Sequence, residues 1–336
     1  MTHNVLVTHA DEPIGRRIVK TLFHDEGVGR ILAVGSGPPP RAFDRFVSGS
    51  EPRLGYARLD LAKHRPVSDL FHSARFRAAE IDTLVHVPRH GVAMSPARPI
   101  VSGLPERTAE TRLVLQYALE AATIEHLVVV GSAFVYRLPP GNANRLAEDS
   151  ELNLDPNLPI DIRSWIDCDM IIHGEVHNDR LRVALLRVPT VVADGGYVYM
   201  NPVLGSGARP QLRSLGFDPI CALVSDKDVA RAIRCAVHSE RSGIYNIAGA
   251  EAVPLSVLAN WTGHHSVPVP GSVLSWLSVG AKWIGYDEAA LQGSHLRYGF
   301  TLDTERASRE LGFRPSVRIG LARAGDGRLQ LETASV

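Results

Sequence analysis

The sequence predicts an α/β protein with a doubly wound parallel sheet and a smaller α/β lobe at its C-terminal end. Short apolar runs alternate with helical patterns through the first half of the chain, as in β-α-β units. The run Leu127–Val130 is continuously apolar, which is typical of a strand buried on both faces. With 336 residues and 45% apolar content, the chain can form a large buried core.

Hydrophobic periodicity and turn residues place the individual elements. A strand at Asn4–Thr8 precedes a helix at Ile14–Phe23, whose apolar residues fall on one face. A second strand, Arg30–Val34, runs into the turn-forming segment Gly35–Pro40. The later elements are predicted, in order, at Leu54–Leu59, Thr83–Val87, Glu106–Ala122, Leu127–Val130, Ile162–Val176, Leu181–Val188, Asp228–Val237 and Gly243–Ile247.

Composition changes along the chain predict its division into domains. Residues 1–190 form the expected core, and residues 191–321 a C-terminal lobe that returns to the core through residues 228–249. Leu138–Pro159 is rich in Pro, Asn, Asp and Gly and is predicted to be a long loop. The polar residues 322–336 are expected to be a flexible tail.

Charge and cysteine usage restrict the kinds of partner and compartment. The 36 basic and 36 acidic residues cancel, so no global field favours nucleic acid. Cys168, Cys221 and Cys235 are an odd number without close pairing, which indicates reduced thiols. The chain begins in a strand-like run instead of a secretory signal, so a cytoplasmic location is expected.

The apolar-rich segment 273–284 is too short and interrupted for a transmembrane segment. We interpret it as an amphipathic helix packed on the domain or on a partner, with membrane-surface binding as the alternative.

Several stretches together resemble the nucleotide-sugar epimerase/dehydratase branch of the extended short-chain dehydrogenase/reductase family. Their order from residue 5 to residue 315 is that of the family. They are VLVTHADEPIGRRIVKTL at 5–22, LDL at 59–61, IDTLVHV at 81–87, HLVVVGSAFVY at 126–136, LLRVPTVV at 185–192, SDKDVARAIRCAV at 225–237, GIYNIAG at 243–249 and LDTERASRELGFRP at 302–315. The resemblance implies a Rossmann-type core that binds NAD or NADP.

The family's Gly-x-x-Gly-x-x-Gly turn lets the backbone approach a pyrophosphate at a helix N-terminus. Here the three positions are His9, Glu12 and Gly15, so only the last glycine is present. The Glu12 carboxylate would repel a phosphate about 4 Å away by on the order of a kcal/mol. Normal dinucleotide binding is therefore not expected.

Other cofactor positions are partly kept. The resemblance assigns cofactor contacts to Ile14, Gly15, Asp60, Leu61 and Val87, with Asp60 at the adenine.

The remaining cofactor positions depart from the family pattern. The acid that holds the adenosine ribose at the end of the second strand is replaced by Gly35. Pro88 and Arg89 replace a pair of small residues after the fourth strand. Arg41 and Arg45 lie beyond Gly35, either as ordinary surface residues or as partners of a 2′-phosphate.

The resemblance implies catalysis by a Ser and a Tyr-x-x-x-Lys motif, in which the lysine lowers the pKa of the tyrosine. Ser132 matches the serine, but Trp165 and Asp169 occupy the tyrosine and lysine positions. An indole has no proton that titrates near neutrality. Tyr136 is expected to pack in the core, with a role as substitute acid as the alternative.

Asp169, His173 and His177 recur at four-residue intervals on the predicted helix, a pattern that could bind zinc or iron. Because two helical turns separate the outer pair, we favour a polar face and expect no metal.

Two functions remain open. One is a catalytically degenerate protein that serves in binding, regulation or assembly, with a small-molecule or nucleotide-sugar ligand. The other is an active NAD(P)-dependent oxidoreductase or epimerase with a non-standard site. A homodimer would form through the helices near 106–122 and 162–176, where Trp165 and the Ile171–Ile172 pair fit either an interface or the core.

Overall fold

A computed structural model gives the fold of the chain. It describes residues 2–46, 53–90, 104–141, 144–194, 197–201, 204, 210–261, 265–279, 298–323 and 329–335. The strands are β1 His3–Val7, β2 Val28–Gly35, β3 Leu54–Arg58, β4 Thr83–His86, β5 His126–Ser132, β6 Arg145–Leu146, β7 Arg182–Val188, β8 Thr190–Ala193, β9 Tyr197–Tyr199, β10 Gln211–Ser214, β11 Ile220–Ser225, β12 Gly243–Asn246, β13 Ala252–Pro254, β14 Ser266–Val269, β15 Thr301–Leu302, β16 Val317–Arg323 and β17 Leu329–Ser335. The α-helices are α1 Pro13–Phe23, α2 His64–Phe71, α3 Ala74–Ala79, α4 Leu104–Glu120, α5 Ile160–His173, α6 Asp226–Val237, α7 Leu255–Trp261, α8 Gly271–Val279 and α9 Glu305–Glu310.

Seven strands form one parallel sheet in the order β12-β7-β5-β4-β1-β2-β3. The strand order reverses beside β1, so β1 and β4 flank the crevice in which open α/β sheets bind ligands. Helices cover both faces, with α1 against α6 on one side and α4 beside α5. The predicted doubly wound parallel sheet is confirmed.

The core lies on both sides of this sheet, as the continuously apolar strands require. Every residue of β5 is buried, and the apolar face of α1, including Ile18 and Leu22, packs on one side. Ser225 is the N-cap of α6, and its hydroxyl accepts a hydrogen bond from the Asp228 amide.

A smaller set of strands forms the C-terminal lobe. Strands β13, β11, β8 and β9 make a mixed sheet, and β10 pairs with β14. Helices α7 and α8 pack here, and Leu258 and Leu274 belong to a separate apolar cluster. The same cluster includes Phe134 and Leu146 from before residue 190, so the domain boundary at residue 190 remains a prediction.

The C-terminal residues differ from the flexible tail that the sequence predicts. Strand β17, within 322–336, pairs antiparallel with β16 along its whole length. Strand pairing satisfies the hydrogen-bonding groups of the backbone whatever the side chains are. Polar composition alone therefore does not show that a segment is flexible.

The apolar-rich segment 273–284 begins within α8, and its residues from 280 onward lie outside the described part of the chain. In α8, Leu274 is buried whereas Trp276 is 74% exposed. Among the described helices, none has the length and apolar character needed to cross a membrane.

Candidate functional site

The loops that follow β1 and β4 meet at the carboxyl edge of the sheet. Thr8 and His9 follow β1, and Val87–His90 follow β4. The Val87 amide donates to the Thr8 hydroxyl at 2.9 Å, and Thr8 Oγ1 lies 3.0 Å from His86 Nδ1. Backbone and side-chain contacts therefore hold the two loops side by side, at the place where a dinucleotide would enter.

His9 fills the space in which the first glycine of the turn was expected. It keeps the left-handed backbone that favours glycine, with φ of 45°. Its side chain is 1% exposed, and Nε2 donates to Glu110 Oε2 of α4 at 2.9 Å. Arg89 Nη2 donates to Glu110 Oε1 at 3.0 Å. The turn is therefore closed by a chain of charges that runs from the buried His9 through the buried Glu110 to the partly exposed Arg89.

The charges of this group support one another. Burial lowers the pKa of His9, but its hydrogen bond to Glu110 and the charges of Glu110 and Glu12 outweigh burial and raise it. Burial raises the pKa of Glu110, but His9 and Arg89 outweigh it and lower that pKa to about 2. Each member of this pair thus favours the charged form of the other.

A second carboxylate–histidine pair adjoins the first. His90 Nδ1 donates to Glu12 Oε2 at 3.0 Å, although the His90 side chain is 1% exposed. Burial lowers the pKa of His90 despite the charge of Glu12. Its Nε2 is buried and has no hydrogen-bond partner within the described residues. Glu12 is thus tied to the loop after β4.

His86 lies beneath these pairs. Its Nε2 lies 3.1 Å from the Thr111 hydroxyl. Burial and the charge of His9 lower the pKa of His86 to about 3. His86 is therefore neutral, and it links β4 to α4 through hydrogen bonds alone.

These residues do not fit the pyrophosphate of a dinucleotide. The backbone approach needs space above the first turn position, which the His9 side chain occupies. Glu12 occupies the N-cap position of α1, but its carboxylate makes no capping hydrogen bond and pairs with His90 instead. A negative charge therefore stands beside the helix end whose amides would receive a phosphate.

The five predicted cofactor residues lie in the first turn of α1 or follow β3 and β4. Ile14, Leu61 and Val87 are buried core residues. Gly15 approaches the His9 carbonyl so closely that a β-carbon would lie 2.1 Å from its oxygen. Asp60 is 38% exposed, pairs with Lys63 and accepts from the Ala62 amide. Cofactor contact by these five residues remains a prediction.

Arg41 and Arg45 are the two arginines that the sequence offers as alternative partners of a 2′-phosphate. Arg41 is exposed in the 3-10 helix 41–46, and the side chain of Arg45 lies outside the described part.

The catalytic positions are occupied by structural contacts. Ser132 is buried, and its hydroxyl accepts from the Phe134 amide at 3.2 Å. Trp165, at the expected tyrosine position, is buried with its ring 4.0 Å from the Arg107 guanidinium. It is a cation–π partner rather than a proton donor.

Asp169, at the expected lysine position, forms a buried ion pair with Arg187 of β7. Arg187 Nε and Nη2 each donate to one carboxylate oxygen at 2.8 Å. Arg187 Nη1 also donates to the Tyr136 hydroxyl, which donates in turn to Asn246. Burial raises the pKa of Tyr136 to about 12 despite Arg187. Tyr136 is therefore a core residue and a poor acid.

The alternative metal site is not assembled. Asp169 pairs with Arg187, whereas His173 is exposed at the last position of α5 and His177 is exposed beyond the end of that helix. Within the described ranges, no three His, Cys, Asp or Glu side chains group closely enough to hold a metal ion.

Sequence reasoning missed Glu110 and Arg187. Arg187 carried a signal, because a charged residue inside a buried parallel strand requires a counter-charge. Glu110 has no such signal in the sequence, since a single acidic residue in an amphipathic helix is ordinary. Only the packing of α4 against the first turn brings it to His9.

The Glu110 pair makes stability depend on pH. The pKa of Glu110 is 4.5 before folding and about 2 after, so its contribution is complete above pH 4.5 and is lost as pH falls toward 2. We expect the free energy of unfolding to decrease over that range by on the order of 2 kcal/mol more in the wild type than in Glu110→Gln. Urea unfolding at several pH values measures this.

The matched control is Glu151→Gln, which removes a carboxylate that is 75% exposed. It should keep the pH dependence of the wild type. Equal pH dependence in Glu110→Gln and the wild type would contradict the assigned ion pair.

Comparison with solved structures decides the fold. UDP-glucose 4-epimerase from Bifidobacterium longum, in complex with NAD+ and UDP, matches with a TM-score of 0.65 at 15% identity, covering 94% of each chain. DesIV, a dTDP-glucose 4,6-dehydratase from Streptomyces venezuelae with NAD and TYD bound, matches with a TM-score of 0.63 at 20% identity, covering 96% of this chain and 94% of that one. The chain has the fold of these NAD-bound enzymes. The resemblance seen in the sequence is thereby confirmed for the fold.

Sequence comparison finds relatives over nearly the whole of this chain, but their names give no activity. Uncharacterized proteins of Mycobacterium tuberculosis and Mycobacterium bovis are 24% identical over 318 residues, covering 93% of this chain and 80% of each relative. No protein-family model matches the chain.

Proposed function

We propose that this chain is a catalytically degenerate epimerase/dehydratase-like protein that serves in binding, regulation or assembly. The observation that carries the proposal is the buried bond from His9 to Glu110. It fills the turn with side chains at the point where a dinucleotide needs bare backbone. A buried hydrogen-bonded pair at this position is incompatible with the close approach of the backbone to a pyrophosphate that NAD(P) binding requires.

The proton-transfer positions support the same proposal. Family chemistry needs a tyrosine whose pKa is lowered by a neighbouring lysine. Here the lysine position carries a carboxylate, and the positive charge has moved to Arg187 in β7. The tyrosine beside that charge, Tyr136, is fully buried. Its proton has no path to a substrate without local opening.

The proposal is tested by titrating NADH and NADPH with the purified chain and following cofactor fluorescence. The wild type is expected to give no saturable signal up to millimolar cofactor. The double variant His9→Gly, Glu12→Gly is expected to gain binding, because it removes the buried bulk and the negative charge from the turn. Tight saturable binding by the wild type would refute the proposal.

The matched control is His24→Gly, Glu26→Gly, which removes the same two residue types from exposed positions after α1. It should behave as the wild type. Thermal unfolding of all three proteins shows that a gain of binding reflects the turn and not general loosening.

The second candidate is an active NAD(P)-dependent oxidoreductase or epimerase acting on a nucleotide-sugar or another small hydroxylated substrate. It is favoured by the likeness to NAD-bound epimerases and dehydratases over at least 94% of this chain. Incubation with UDP-glucose or dTDP-glucose and NAD, followed by chromatography of the sugar nucleotide, distinguishes the two. Turnover that Ser132→Ala abolishes would support this candidate.

A further inference from the structure

Two large apolar side chains project from the C-terminal lobe at a tight turn after β10. Leu215 is 61% exposed and Phe217 is 44% exposed. The Phe217 amide donates to the Ser214 carbonyl at 3.3 Å, and Gly216 has the φ of 82° that the third residue of a type II turn requires. A β-carbon at Gly216 would meet nothing within 4 Å. The turn therefore presents Leu215 and Phe217 to solvent at its tip.

Hydrogen bonds hold both ends of this turn in place. At its start, the Leu215 amide donates to the Val269 carbonyl of β14 at 2.8 Å. At its end, the carboxylate of Asp218 accepts from both the amide and the hydroxyl of Ser256 at the start of α7. The lobe therefore fixes the turn in its exposed arrangement, and the acid that follows Phe217 is bound to α7.

Helix α8 adds an exposed apolar face at the same end of the lobe. The turn follows β10, and α8 follows β14, which is the parallel partner of β10. Val273 and Trp276 are exposed one helical turn apart, whereas Leu274 is buried in the lobe, and α8 contains no charged residue. Exposed apolar surface of this kind marks a binding surface. We call Leu215, Phe217, Val273 and Trp276 the apolar tip.

The two stretches of sequence that carry the apolar tip contain no acidic residue. Residues 195–217 and 252–286 lack Asp and Glu altogether, although the whole chain has 36 acidic residues among 336. The basic residues of the two stretches are Arg209, Arg213 and Lys282. Of these the structure describes Arg213, whose Nη1 donates to the Phe217 carbonyl at 3.4 Å. A cation therefore lies at the base of the turn, and both stretches have a net positive charge.

We propose that the apolar tip docks this chain onto the surface of an anionic lipid bilayer. Aliphatic and aromatic side chains enter the boundary between headgroups and acyl chains, where tryptophan is enriched, and nearby basic residues are attracted to anionic lipids. A lipid surface is negative over its whole plane and repels acids anywhere near it, whereas a partner protein repels them only at points of contact. The absence of acids from both stretches therefore favours the bilayer over a protein partner.

This surface binding is the alternative that the sequence leaves open for residues 273–284. It goes beyond the proposed function, because it depends on nothing in the turn after β1.

Flotation of the purified full-length chain with lipid vesicles tests the proposal. The chain should float with vesicles made of phosphatidylcholine and phosphatidylglycerol in equal parts. It should bind vesicles of phosphatidylcholine alone at least about 10-fold more weakly, since each basic residue near an anionic surface strengthens binding severalfold. High salt should remove most of this difference, because it screens the attraction.

Variants of the apolar tip identify the docking residues. Leu215→Ser combined with Phe217→Ser should weaken binding to the mixed vesicles by about 10-fold to 100-fold, and Trp276→Ser by about 10-fold. The matched control combines Leu154→Ser with Ile160→Ser, which replaces two side chains that are at least as exposed but lie before α5 and at its first residue. It should bind as the wild type does. Thermal unfolding should be nearly unchanged in all variants, because each replaced side chain is already largely in solvent.

Three results would each overturn the proposal. The first is a wild type that floats with neither kind of vesicle, and the second is equal loss of binding in the tip variants and in the control. The third is a wild type that sediments as an oligomer which the Leu215→Ser, Phe217→Ser variant dissociates, because the apolar tip would then bind a second copy of the chain. The NADH and NADPH titrations report on the turn after β1 alone, so failure of the proposed function is distinguished from failure of this inference.

Discussion

Replacement of Arg187 by methionine is expected to lower the free energy of unfolding by about 3–5 kcal/mol. Both of its bonds to Asp169 are 2.8 Å long, and neither side chain is exposed to solvent. Methionine fills much of the volume but leaves the carboxylate buried without a counter-charge. It also removes donors to the Tyr136 hydroxyl and the Glu148 carbonyl. Urea unfolding at neutral pH measures the loss.

Two further variants give this prediction its controls. Arg187→Met combined with Asp169→Leu removes both charges and should recover most of the loss, because replacing a buried pair by apolar residues is often neutral. Arg137→Met breaks an exposed pair with Glu151 and should cost at most about 1 kcal/mol. If both single variants lose equally little stability, the Arg187–Asp169 pair does not hold α5 against β7.

Replacement of Gly15 by alanine is expected to destabilise the chain by about 3 kcal/mol. The added β-carbon would lie 2.1 Å from the His9 carbonyl oxygen and 2.8 Å from its carbon. Both are backbone atoms of the turn, so α1 must move away from β1 for the methyl group to fit. That movement also disturbs the His9–Glu110 bond. The shift in the urea midpoint measures the effect.

Gly174→Ala at the end of α5 is the matched control. Its nearest neighbour to an added β-carbon is 3.6 Å away, and its backbone is right-handed helical. Alanine there should be neutral or stabilise by about 0.4–1 kcal/mol, since it reduces the freedom of the unfolded chain. A Gly15→Ala protein as stable as the wild type would show that the turn is not packed against the helix.

Much of the fold could be predicted because local patterns determine it. The alternation of apolar runs and amphipathic helices predicted all seven strands of the parallel sheet, with ends at most two residues from those observed. Helix ends shifted most, since the last turn of a helix depends on capping contacts that periodicity does not encode. The C-terminal pairing of β16 with β17 was missed because polar strands lack the alternation that marks a buried face.

The site was predicted only in part. The absence of the turn glycines and of Tyr-x-x-x-Lys could be read directly, because those motifs are contiguous. The contacts that take the place of these motifs could not be predicted, because each joins residues that are far apart in the chain. Glu110 meets His9 across 101 positions. Asp11 lies over Gly35 from the neighbouring turn.

By itself, the sequence determined the fold class, a doubly wound parallel sheet. It also determined that side chains replace two glycines of the first turn and that the Tyr-x-x-x-Lys motif is absent. These features depend on residues that are neighbours along the chain. Tertiary structure alone decided which charges compensate one another. A buried charge is stable only beside its partner. That partner is chosen by how helices dock on the sheet, as α4 brings Glu110 to His9 and β7 brings Arg187 to Asp169.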